Sequence, residues 1–396
     1  MKTNETKDKV TVALEGRIDS SIAESVEREL MDAIGNDAAK AIELDAMKLE
    51  YISSAGLRVL MKLRRKTQKP LSMINVSPEV YDILDVTGFT QLLEVRKRLR
   101  EVSVERCEEL GSGANGKVYR LTEDRIIKVY RPGFTLAETE AERDISRRAF
   151  LMGIPCAIAF DTVKVGDSYG TIYEKLRAFT LVELIRQDPD CLPEMAENAA
   201  RVLKSMHVLE VPEGQLPPAS RLIHDTIRKL AAEFDPEEVQ KMHALFDALP
   251  DQDRFVHNDY HVKNIMRTGD GSFMVIDLGD AGVGSPLIDL IRCYYVYLLM
   301  GRVFRDRGDD EMSFIGLTYG ECKRFWKIFL DTYCGDEHIA EELGAELEPF
   351  VWLDYLLVSM PHPRLPLKWY VNMIREKVLS RYDEMMNMFA DFHHLL

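Results

Sequence analysis

The stretch FVHNDYHVKNIM (255–266) decides the reading of this 396-residue chain. It holds His257, Asp259 two residues later, and Asn264 five residues after the aspartate. Thirteen residues beyond Asn264 an apolar, strand-like run ends in VIDLGD (275–280), which presents Asp277 and then Gly279. Each residue has an ordinary explanation by itself: Asp259 caps a turn, Asn264 occupies the left-handed region, Asp277 ends a strand. Together, at these spacings, chance is a poor explanation, and they read as one candidate set of oxygen donors. Asn264 and Asp277 are hard oxygen ligands suited to Mg2+, and Asp259 can accept or orient the proton of an attacking hydroxyl.

Upstream residues test that reading. In ELGSGANGKVYRL (109–121), Gly111, Gly113 and Gly116 form G-x-G-x-x-G, but Val118–Leu121 continues as a strand where a dinucleotide site would start a helix. A glycine hairpin is expected, whose N–H groups lie over phosphates without Cβ obstruction. RIIKVY (125–130) puts Lys128 among β-branched residues on the next strand, and the helical run LAETEAERDISRRAF (136–150) offers Glu138, Glu140 and Glu142 as its partner. Glu142 is selected for its distance before the turn Gly153-Ile154-Pro155. An extended run then leaves through Glu174 to Leu176, the place of a hinge in a kinase-like chain, where the likeness would put backbone groups against adenine; a plain surface turn reads the same way.

The order of these features resembles the protein-kinase fold, with its H-x-D-x-x-x-x-N loop and its metal aspartate. HNDYHVKN lacks the arginine after the histidine, DLGD lacks the phenylalanine, and no A-P-E follows. GSPLIDL (284–290) comes directly after the metal aspartate instead. Residues 105 to about 300 therefore resemble the aminoglycoside phosphotransferase and choline-kinase superfamily, with Asn258 in place of a common glycine and Leu278 in place of a common aromatic. The resemblance implies an α+β bilobal protein-kinase-like domain over 99–396, with an N-lobe to about 176 and a helical C-terminal lobe. It implies ATP as co-substrate with Mg2+, Asp259 as catalytic base and Asn264 and Asp277 as metal ligands. Gly111, Gly113, Gly116, Lys128, Glu142, Glu174 and Leu176 would form the ATP site. Asp289 would brace the catalytic loop from a helix, and His207 would pack between helices.

The first 98 residues read differently. VTVAL (10–14), Ala41–Leu44 and Leu71–Val76 are strand-like, and each is followed by a helical pattern, the last opened by Ser77-Pro78. Alternating strands and helices predict a small α/β layer fold. GRID (16–19), IELD (42–45), YISSAGLRVL (51–60) and SPEVYDILDVTGFTQLLEV (77–95) resemble a STAS domain, the fold of bacterial anti-sigma-factor antagonists. That resemblance makes Ser54 the candidate regulatory phosphorylation site, with Ser53 where the family commonly has aspartate. A phosphate there would meet the positive end of a helix dipole, whereas a serine at the same place simply caps the helix. Arg58, Lys62, Arg64, Arg65, Lys66 and Lys69 form a basic run, read as a solvated helix end or as a seat for an acidic partner. VRKRLREVSVER (95–106) reads as the join.

Composition sets limits. Apolar residues make up 46% and charged residues 30%, which excludes disordered and collagen-like classes. The net charge of −15 divides unevenly: residues 1–100 hold 17 basic against 16 acidic side chains, and the remainder 34 against 50. An acidic chain is not expected to grip nucleic acid or an anionic membrane. Cys293–Met300 is too short to span a bilayer, and MKTNETKDKV lacks a signal-type apolar run, so a cytoplasmic protein is expected. Six cysteines without C-x-x-C spacing read as free thiols. The acidic run 335–348 reads as a solvated helix face or as a lure for a cationic acceptor. The expected function is phosphoryl transfer from ATP to a hydroxyl of a small molecule or a protein serine, with the STAS-like module regulating or binding a protein partner. The other class is a partner-switching regulator whose kinase-like half senses nucleotide or phosphorylates a protein serine, with Ser54 a candidate.

Overall fold

A computed structural model describes residues 3–5, 9–34, 41–67, 71–113, 115–305, 315–358 and 366–389. The chain divides into two compact units, Met1–Val102 and Ser103–Leu396. Each has its own hydrophobic core.

In the first unit, strand β1 (Thr3–Glu5) pairs antiparallel with β2 (Lys9–Ile18), which leads into helix α1 (Ala23–Ile34). There follow β3 (Ala41–Ile52), α2 (Ser54–Lys66), β4 (Leu71–Val76), α3 (Pro78–Val86), the short α4 (Phe89–Leu92) and β5 (Glu94–Lys97). The sheet order is β1-β2-β3-β4-β5, with β2 to β5 parallel. Alternate residues Val10, Val12 and Leu14 of β2 are buried, and the register sets Val10 beside Ile42 and Val12 beside Leu44. One sheet face therefore makes the core, as period-2 patterning requires. The join read at 95–106 is corrected: Glu94–Lys97 is the fifth strand. Glu94, Arg96 and Lys97 are exposed at the sheet edge, and Val95, half-buried against the core, is a single apolar residue with no alternation to reveal the strand.

Ser53 is the N-cap of α2, its hydroxyl accepting from Gly56 N at 3.4 Å; Ser54 is the first helical residue and is exposed. Of the two serines, the cap belongs to Ser53.

The second unit opens with an antiparallel sheet ordered β6-β7-β8-β10-β9, from β6 (Glu109–Ser112), β7 (Gly116–Arg120), β8 (Arg125–Tyr130), β9 (Ala159–Val165) and β10 (Ser168–Glu174). Helix α5 (Leu136–Leu151) crosses between β8 and β9. β11 (Ala178–Thr180), α6 (Leu181–Gln187), α7 (Leu192–His207), α8 (Arg221–Leu230) and α9 (Pro236–Asp247) precede the loop that decided the reading. Around that loop lie β12 (Arg254–Val256), β13 (Ile265–Thr268), β14 (Phe273–Val275) and β15 (Gly282–Gly284), paired as β11-β13-β14 and β12-β15. The remainder is helical: α10 (Leu287–Tyr294), a π-helical turn Tyr295–Leu299, α11 (Met300–Arg305), α12 (Tyr319–Cys334), α13 (Glu337–Val358), α14 (Leu367–Lys377) and α15 (Tyr382–Met385). All six cysteines are free thiols. Among the described residues no helix is long and apolar enough to cross a membrane.

Candidate active site

Lys128 sits in the middle of β8, between Val118 of β7 and Thr171 of β10. Its Nζ lies 2.7 Å from Glu142 Oε1 and 2.7 Å from Asp277 Oδ1. Burial pulls the ammonium down, but the Asp277 and Glu142 carboxylates outweigh it, and its pKa stands above the ordinary lysine value. The choice among the three glutamates on α5 has a physical basis. Glu138 is spent on a capping box with Thr135, while Glu142, one turn further along, is buried on the face that meets the lysine.

The hairpin of β6 and β7 brings Gly111, Gly113 and Gly116 to one turn, closed by Gly113 N donating to Gly116 O at 2.9 Å and by Arg131 Nη2 donating to Gly113 O at 2.9 Å. Gly116 is required by close approach: a Cβ there would lie 2.2 Å from Val129 O. Ala114, at the tip of the quoted motif, is outside the described residues. Glu174 ends β10, its N–H donating to Ile158 O at 2.9 Å and its carboxylate accepting from Ile158 N at 3.3 Å. Two residues on, the Leu176 N–H has no hydrogen bond among the described residues, which leaves a backbone donor at the position expected to face adenine.

The loop from His257 to Asn264 is held from one helix. Asp289 of α10, fully buried, accepts from His257 N at 2.8 Å, from Asn258 N at 2.6 Å and from His207 Nε2 at 3.0 Å. His207 in turn contacts Tyr333 Oη through Nδ1 at 2.7 Å, so it links α7, α10 and α12 rather than only filling space. Burial alone would raise the Asp289 carboxyl; the bond and charge of His207 outweigh it, and its pKa falls below the ordinary value. Further along the same helix Cys293 Sγ reaches Tyr260 O at 3.3 Å, and Tyr297, in the π-turn, accepts from Val262 N at 3.2 Å. Asn258 adopts φ +67, which explains why glycine is common there, and its Nδ2 donates to Ala219 O and Asp280 O.

Asp259 and Asn264 meet directly: Asn264 Nδ2 donates to Asp259 O and to Oδ2, both at 2.9 Å. This fixes the amide so that its oxygen is left for another partner. Asn264 O accepts from Ile276 N at 2.9 Å, tying the loop to the segment between β14 and Asp277. Burial and then the Asp277 charge push the Asp259 carboxyl up to about 7, against the opposing pull of Arg292. His261, which the motif spacing did not single out, lies with Nε2 3.5 Å from Asp259 Oδ1, and burial holds its imidazole down at about 4, so it faces the aspartate neutral. His257 is also kept below its ordinary value by burial; its Nε2 meets Ile276 O at 3.2 Å and its Nδ1 accepts from Asp259 N at 3.3 Å.

Among the described residues no three His, Cys, Asp or Glu side chains form a metal cage. The donors present still suit Mg2+, which is characteristically held by one or two carboxylates plus substrate phosphates. The Asp277 carboxylate and the Asn264 carbonyl oxygen are such donors. Asp277 itself has φ +63, a left-handed conformation that is uncommon outside glycine and recurs at functional sites.

Comparison with known proteins agrees with this division. Residues 106–313 match the family model described as the phosphotransferase enzyme family, and residues 1–94 match one described as "Mlab, STAS domain". A Bordetella bronchiseptica protein named "Putative anti-sigma factor antagonist BtrV" is 34% identical over 85 residues, which is 21% of this chain and 72% of the relative. The ADP-bound crystal structure of aminoglycoside phosphotransferase APH(2'')-Ib is 16% identical with a TM-score of 0.43, covering 78% of this chain and 99% of that one. A Plasmodium vivax ethanolamine kinase is 15% identical with a TM-score of 0.43, covering 71% and 83%. The first family match spans just over half of the sequence and contains every residue of the cluster around Lys128, Asp259 and Asp277, so the chain belongs to the phosphotransferase enzyme family and carries a STAS domain at its N-terminal end.

Proposed function

We propose that the second unit transfers the γ-phosphoryl group of ATP to a hydroxyl. The observation that carries this reading is the joint geometry of Lys128, held by Glu142 and Asp277, and of Asp259, held by Asn264. Lys128 meets the α- and β-phosphates, the glycine hairpin covers them with backbone N–H groups, and the Leu176 N–H with the Glu174 backbone receives adenine. Asn264 and Asp277 would hold Mg2+, which when bound neutralises phosphate charge. Asp259 orients the acceptor hydroxyl and takes its proton. Its raised pKa makes it a stronger base than an exposed carboxylate, and neutral His261 at 3.5 Å steadies it without competing for the proton. The reaction needs no covalent enzyme intermediate; positioning and charge do the catalysis.

The first unit is proposed to engage a protein partner, and the protein to act in the cytoplasm. Exposed Ser54, at the start of α2 and free of the capping duty that Ser53 performs, is the proposed phosphorylation site. The test is ADP release by purified protein with ATP, Mg2+ and a panel of acceptors: aminoglycosides, choline, sugars, homoserine and STAS proteins. A Mg2+-dependent acceptor response that disappears in Asp277→Ala is expected. No ADP release and no nucleotide binding by the wild type would overturn the reading. Intact-mass measurement after incubation with ATP separates a protein acceptor, since an added phosphate absent from Ser54→Ala identifies that serine.

A further inference from the structure

We infer that Arg221, on α8 and far in sequence from the motifs, is the positioning residue that sets the metal aspartate. The inference rests on the phosphotransfer reading above. The chain after Asp277 runs through a 3-10 turn, Leu278–Asp280, into β15; Leu278 O accepts from Ala281 N within the turn, and the next three carbonyls accept from side chains elsewhere in the fold. Arg221 Nη2 donates to Gly279 O at 3.1 Å and Nη1 to Ala281 O at 3.2 Å, while Asn258 Nδ2 donates to the intervening Asp280 O at 3.2 Å. Arg221 Nη1 also reaches Pro218 O at 3.3 Å, at the end of the stretch that flanks β15.

That stretch completes the clamp. Val283 N donates to Pro217 O at 2.9 Å and Ala219 N to Val283 O at 2.8 Å, so β15 lies between β12 on one side and residues 217–219 on the other. Neither end of the turn has slack. A Cβ on Gly279 would come within 2.9 Å of the Glu142 side chain, and one on Gly282 within 2.5 Å of Pro217 O. A left-handed, non-glycine residue such as Asp277 persists only where its surroundings over-determine it. Among the described residues Arg221 is the side chain that bonds both Gly279 O within the turn and Ala281 O just after it, and a planar guanidinium with several N–H donors suits two carbonyls as a single ammonium does not. The segment that other kinase-like folds use as a mobile switch is here fastened. Asp277 is therefore held toward Lys128 before any ligand arrives.

Arg221 touches no reacting atom, and its effect must come through Asp277. The test compares ATP affinity of the full chain in EDTA and in Mg2+ by titration calorimetry, for wild type, Arg221→Ala, Arg221→Lys and the exposed control Arg228→Ala. In Arg221→Ala the Mg2+-dependent gain in affinity is expected to shrink about tenfold, the scale of losing charge-assisted hydrogen bonds, while the affinity in EDTA holds within about twofold. Arg221→Lys, which keeps the charge and the stem, is expected to lose a few-fold of the same gain. Arg228→Ala is expected to match wild type. Equal weakening with and without Mg2+, or an unchanged Mg2+ gain in both Arg221 variants, would overturn the inference. A wild type that shows no Mg2+-dependent ATP binding would instead defeat the phosphotransfer reading beneath it.

Discussion

Asp259 shows how a residue's surroundings define its chemistry and also its cost. Its carboxyl is raised from an ordinary 3.8 to about 7, first by burial and then by the Asp277 charge. Between those two values the native protein binds a proton that the unfolded chain has released, so stability falls as pH rises through that window. In metal-free protein, Asp259→Asn should therefore raise the melting temperature of the second unit at pH 8 and leave it nearly unchanged at pH 4. A uniform shift at both pH values would contradict the assignment of that carboxyl. His243 on α9 has the opposite sign. Its Nδ1 lies 2.6 Å from His224 Nδ1, a gap that holds one proton and not two, and burial followed by the His224 charge lowers its pKa below 6.5. The stability it contributes is present above pH 6.5 and is lost as pH falls below it, because the unfolded chain then takes the extra proton. His243→Gln should flatten that acid loss in a pH series of thermal melts.

At the scale of elements, helices serve as scaffolds for loops. α10 presents Asp289 to two backbone N–H groups of the loop at 257–264, and the π-turn that follows carries Tyr297 to a third. Removing the Asp289 carboxylate leaves two buried N–H groups and His207 without their partner. Asp289→Ala should then cost about 3–5 kcal/mol in urea unfolding, whereas a surface aspartate would cost a few tenths. α2 gives a prediction whose sign is decided by packing. Glycine to alanine inside a helix normally gains about 1 kcal/mol. At Gly56 a Cβ would meet Ile52 Cγ1 at 2.7 Å and Ile18 Cγ2 at 2.8 Å, so Gly56→Ala should destabilise the first unit by about 1–3 kcal/mol.

Legibility in the sequence follows the same scales. The loop at 257–264, Asp277 and Lys128 were legible as candidates because each depends on a local spacing, and the structure brings Lys128 to Asp277 and Asp259 to Asn264. Glu142 was readable only to within a turn; the capping box removes Glu138 from the choice, and the 2.7 Å contact with Lys128 decides for Glu142. Arg221, Tyr297 and the double role of His207 were not readable. Their partners lie 58, 35 and 82 residues away, and no periodicity marks a contact across such a distance. β5 escaped for a different reason, since an edge strand with Val95 as its single apolar residue carries no apolar alternation.

Across the whole molecule, two separate cores predict two unfolding transitions. ATP with Mg2+ should raise only the transition of the unit that holds Lys128, because a ligand stabilises the state that binds it, and Gly56→Ala should lower only the other. The net charge of −15 bears on this proposal: the acidic excess lies in the second unit, so the proposed hold on phosphate would have to be built locally by Lys128 and backbone N–H groups. The central claim is that this unit transfers a phosphoryl group with Asp259 as base. It is tested most directly by measuring ATP affinity and acceptor-dependent ADP release side by side for wild type and Asp259→Asn. The account predicts ATP affinity within about threefold and turnover lower by about a hundredfold or more; full turnover by Asp259→Asn would contradict it.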